Sequence, residues 1–71
     1  MKITKVILTN IDNVNVTDQG KRVYRAAAAG ARTTAELSEQ LGMSEAMVDL
    51  QLAHLMRHDL VGLAVQPLDK D

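Results

Sequence analysis

The spacing of apolar positions changes along the chain, and each change predicts an element. Ile3 to Leu8 is rich in β-branched residues, with Ile3 and Ile7 on one face and Val6 and Leu8 on the other, which predicts a strand over residues 2–9. Lys2 and Lys5 within it suit a sheet edge. The side chains of Asn10-Ile11-Asp12-Asn13 favour a turn, and Val14-Asn15-Val16 alternates again, predicting a short second extended piece or a hairpin. A helix capped by Thr17 or Asp18 then runs through Val23, Tyr24 and Ala26–Ala29 to Gly30. Thr33 and Glu36 fit a capping box that opens a second helix, with Leu37 and Leu41 on one face and Gly42 as its stop. Ser44 caps a third helix, in which Val48, Leu52 and Leu55 fall at i, i+4 and i+7, and which fades near His58 and Asp59. Leu60 to Val65 reads as a strand, Pro67 ends its pairing, and Leu68 to Asp71 is a polar tail.

This order predicts an α+β fold, one domain over residues 1–71, in which the terminal strands pair across a three-helix core built on Leu37, Leu41, Val48, Leu52 and Leu55. A core this small supplies only about 3–5 kcal/mol. With Cys 0 there is no disulfide or thiolate metal site to add to it, so self-association, a homodimer, is the expected source of further buried surface. Tyr24 is the one aromatic residue, which excludes an aromatic platform for stacking bases. No segment approaches the roughly 18 apolar residues of a membrane span, and Met1 to Asn10 lacks a signal-peptide pattern, so a cytoplasmic protein with no membrane partner is expected.

The net charge of -1 conceals a split. Lys2, Lys5, Lys21, Arg22, Arg25 and Arg32 face only Asp12 and Asp18 in the first half, whereas Arg57 and Lys70 face Glu36, Glu39, Glu45, Asp49, Asp59, Asp69 and Asp71 in the second. A polyanion would meet the first half.

The run Thr34-Ala35-Glu36-Leu37-Ser38-Glu39-Gln40-Leu41-Gly42-Met43-Ser44, followed by Val48, Leu52, Leu55 and His58-Asp59-Leu60-Val61, resembles the helix–turn–helix of bacterial winged-helix regulators such as the MarR and ArsR families. It covers under half of the chain. Leu37 and Leu41 match core positions, Ser38 the small residue where two helices cross, Gly42 the turn, Ser44 the cap of the recognition helix and Leu60-Val61 the entry to the wing. The opening Thr17-Asp18-Gln19-Gly20-Lys21-Arg22 is similar to a helix start in the same proteins. The resemblance implies a winged helix–turn–helix with a small sheet, acting as a dimeric transcription regulator on double-stranded DNA.

Two candidate surfaces follow. Lys21, Arg22, Arg25 and Arg32, with Thr33, Thr34 and their N–H groups, are positioned to hold phosphates. The outer face of the third helix carries Ser44, Ala46, Met47, Leu50, Ala53, His54 and Arg57, with Glu45 and Asp49 beside them. Base reading needs Arg, Asn or Gln on that face, and acidic residues there would oppose the duplex. The same stripe therefore suits an alternative role, a protein-interaction module that has lost DNA readout and docks a partner helix. His54 and His58, four apart, are the only hint of a metal, and two imidazoles do not make a site, so no metal and no cofactor are expected. The four glycines are scattered and no nucleophile–base–carboxylate set stands out, so enzymatic activity is not expected.

Overall fold

Strand β1 (Lys2–Val6) pairs antiparallel with β2 (Val61–Ala64), joining the two ends of the 2–64 segment that the computed structural model describes. The expected features at Val65, Pro67 and Leu68 to Asp71 lie outside the described residues. Lys2 pairs with Ala64, Ile3 with Leu63, Lys5 with Gly62 and Val6 with Val61, so Thr4 is an extra residue in β1. A Cβ on Gly62 would stand 3.0 Å from the Thr4 hydroxyl, a tight approach that glycine opposite the bulge avoids. The other side of β1 is not a free edge, despite its lysines. Ile3 donates to the Arg32 carbonyl at 2.7 Å, and Lys2 bridges to Thr33.

β1 stops at Val6, three residues before the predicted end. The Tyr24 hydroxyl explains this, because it donates to the Ile7 carbonyl at 2.6 Å and accepts from the Thr9 N–H at 2.9 Å. Backbone groups satisfied by a side chain are no longer available to a ladder. The turn expected over residues 10–13 is present, but residues 14–16 form no second strand or hairpin. Ile11–Asn13 forms a 3₁₀ turn whose start is capped by the Asn10 side chain, and Val14 and Val16 donate to nearby carbonyls rather than to another strand. Ile11 is buried by this turn, with Val14 and Val16 packed against the core.

The described residues contain three helices, α1 (Asp18–Ala28), α2 (Thr34–Leu41) and α3 (Glu45–Arg57), and with the two-stranded sheet they make an α+β fold. Each helix starts on an oxygen cap, with the hydroxyls of Thr17, Thr33 and Ser44 accepting the N–H of Gly20, Glu36 and Met47. The capping box between Thr33 and Glu36 is complete, and Gly42 ends α2 at φ 66. Gly20 lets α1 approach α3, since a Cβ there would meet the Gln51 Oε1 at 3.2 Å. Val23, Leu37, Val48, Leu52 and Leu55 are fully buried, each side chain stabilising the fold by about 1.5–3 kcal/mol. Leu41 is only half-buried at the end of α2, a correction to its expected core place. Ile3, Ile11, Tyr24, Ala27, Ala31, Leu60 and Val61 complete the core. Among the described residues no helix is long and apolar enough to cross a membrane.

Candidate functional site

Helix α3 turns Val48, Leu52 and Leu55 inward, and 100° steps from these put Leu50 on the opposite side, where it is 49% exposed. Ala46 and Arg57 are exposed beside it, while Ala53, Met47 and His54 are half-buried on its flanks. The Ser44 hydroxyl is committed to the Met47 N–H as the helix cap. Gln51, on the α1 side of the helix, is buried and polar. Its Oε1 accepts the Thr17 hydroxyl at 3.1 Å and its Nε2 donates to the Met47 sulfur at 3.3 Å, which fixes the rotation of α3 against the start of α1. On the α2 side the Thr34 hydroxyl donates to Asp49 Oδ1 at 2.7 Å. The outer face is thus a short apolar strip held at a defined angle, with Glu45 and Asp49 along its first half and Arg57 in its last turn.

The basic set is brought to three different places. Arg25 and Lys21 reach Asp12 at 2.9 and 3.9 Å, on the turn after β1. Arg22 donates to the Leu41 carbonyl at 3.1 Å, at the end of α2. Arg32 folds back on the Ala27 and Ala31 carbonyls at 2.6 and 3.0 Å. Arg22, Arg25 and Arg32 nonetheless remain exposed. Thr33 is the cap of α2, and Thr34 is 5% exposed. The Glu36 carboxylate accepts the N–H groups of Arg32 and Thr33 at 2.9 and 3.1 Å, so the start of α2 already holds an anion of its own. Those bonds, that from Arg32 first, keep the Glu36 carboxyl below the usual glutamate range.

His54 and His58 line a hollow of about 320 Å³ with Asn15, Val16 and Thr17. Among the described residues no third histidine, cysteine or carboxylate joins them in a group that could hold a metal ion. Sequence reasoning missed this hollow and the role of Asp12. The turn residues around Asp12 were legible, but a partner 13 positions away in sequence was not. No protein-family model matches the chain, and comparison with curated proteins and with solved structures finds no match.

Proposed function

We propose that the chain is a winged helix–turn–helix protein, cytoplasmic, whose third helix docks protein rather than reading DNA. One observation carries this reading. Leu50 stands half-exposed at the middle of the α3 face, between Ala46 and Ala53, where a DNA reader needs side chains that bond base edges. Glu45 and Asp49 on the same helix add charge that repels phosphates, and Lys21 and Arg25 share their charge with Asp12. Such a face gains by covering its apolar strip with another helix. The fold supports the winged-helix part through its order of elements and the tight corner at Gly42 between α2 and α3.

Exposed Arg22, Arg25 and Arg32 favour a second reading, a DNA-binding regulator that holds phosphates with little sequence preference. Fluorescence anisotropy with a random duplex at low and moderate salt separates the two. The docking reading expects no saturable binding at either salt. Binding that falls steeply with salt, and whose salt slope drops by about one for each contact removed in Arg22→Ala and Arg25→Ala, would overturn it.

A further inference from the structure

We propose that the outer edge of β2 takes up an extended acidic segment of a partner protein as a third strand of the sheet, a contact separate from the α3 face. The direction of the backbone groups is the first support. Ile7 donates to the Leu60 carbonyl at 2.8 Å, so these two form a hydrogen-bonded pair, Val6 and Val61 the next, non-bonded pair, and Lys5 and Gly62 a bonded pair again. Beyond the bulge, Ile3 turns its N–H to Arg32, away from its partner Leu63. The N–H and C=O groups of Val61 and Leu63 therefore point out of the ladder, and among the described residues no strand pairs with that edge. Strand addition uses such alternate residues, each presenting one donor and one acceptor.

Charge selects the occupant. Lysines usually guard the edge of the strand that carries them, but the outer side of β1 is already closed by Arg32 and Thr33, while β2, the open strand, carries no charge and no proline over Val61–Ala64. Lys2, Thr4 and Lys5 share the outward face of the sheet with Gly62 and Ala64, and no carboxylate stands among them. The Lys5 side chain lies against β2, its Cε 3.7 Å from where a Cβ on Gly62 would stand. That keeps its ammonium above β2, within reach of a side chain on a neighbouring strand about 4.8 Å further out. Lys2 and Lys5 make no ion pair among the described residues. An added strand with Asp or Glu on that face meets both ammoniums, and apolar residues on its other face cover half-buried Leu63. Alternating acidic and apolar positions thus define the partner segment.

A fluorescein-labelled peptide in which glutamate alternates with valine is the probe, read by anisotropy against the full chain. It should saturate below about 1 mM and bind about fivefold or more weakly to Lys5→Glu, which replaces an attraction by a repulsion. The counterpart with lysine in place of glutamate should not saturate in that range, nor should the acidic peptide N-methylated throughout, which has no donors left for the edge. Leu63→Pro removes an outward N–H where an edge tolerates proline, so it should abolish binding, with circular dichroism to verify the fold. Amide exchange followed by NMR should slow at least about tenfold at Val61 and Leu63 when the peptide is bound. Lack of saturation, equal binding of the lysine counterpart, or binding that survives N-methylation or a folded Leu63→Pro overturns the proposal. Exchange at Val61 and Leu63 that is already slow without peptide and unaltered by it also overturns the proposal, its dependence on protein concentration telling a second copy from another segment of this chain as the occupant.

Discussion

The Thr34 hydroxyl donates to the Asp49 carboxylate at 2.7 Å, tying the first turn of α2 to the second turn of α3. A residue positioned by sequence to hold phosphate is instead 5% exposed and spent on the angle between two helices. Thr34→Val removes the donor and leaves the carboxylate short of a bond, so it should lower stability by about 1–3 kcal/mol. Urea unfolding of Thr34→Val, Asp49→Asn and the double variant checks this, with a double-variant loss smaller than the sum of the two as the expected sign of direct coupling.

Leu52 and Leu50 sit two positions apart on α3 and face opposite ways, one fully buried and one half-exposed. Leu52→Ala should cost on the order of 2–5 kcal/mol, enough to unfold a chain of this size, while Leu50→Ala should stay within about 0.5 kcal/mol at dilution. Equal losses in chemical denaturation of the dilute protein would show that the face of α3 is assigned the wrong way round.

Glu36 binds its proton less readily in the folded chain than when unfolded, because its carboxylate accepts the N–H groups of Arg32 and Thr33. Its contribution is thus fully present above the ordinary glutamate range and lost as pH falls through the lowered folded value, where the unfolded chain already holds the extra proton. Stability should rise with pH across that window. Urea midpoints of wild type and Glu36→Gln, followed from neutral to acid pH, should converge as the acid end is reached.

Asp59 adopts φ 58, a left-handed conformation, where α3 gives way to β2. The Asp59 N–H reaches the Met56 carbonyl at 2.9 Å and the Leu60 N–H the Leu55 carbonyl at 3.0 Å, which closes the helix end. Glycine takes this conformation without a Cβ clash, so Asp59→Gly should raise stability by up to about 1 kcal/mol, read as a higher urea midpoint.

Local chemistry was legible in the chain wherever its cause lay within one turn. Thr17, Thr33 with Glu36, Gly42 and Ser44 mark helix ends because a cap and its N–H are neighbours in sequence, and 100° steps from Val48 suffice to turn Leu50 outward. Distant pairings were not legible. The Thr4 bulge depends on Gly62, the early end of β1 on Tyr24, and the disposition of Lys21 and Arg25 on Asp12, none of which a periodicity can register. The same holds for Thr34, whose burial follows from the packing of α2 on α3 rather than from its own neighbours.

Tyr24, wedged between the Ile7 carbonyl and the Thr9 N–H, has a use outside the fold itself. With Tyr 1, Trp 0 and Phe 0 it is the sole intrinsic fluorophore, and it is 3% exposed at a junction of α1 with the end of β1. Its emission therefore monitors the docking of a single strand, while far-ultraviolet dichroism monitors the helices. Transitions from the two signals that coincide would mean that the sheet and the helical bundle melt as one cooperative unit; an earlier optical change at Tyr24 would identify the β1 junction as the first part of the molecule to open.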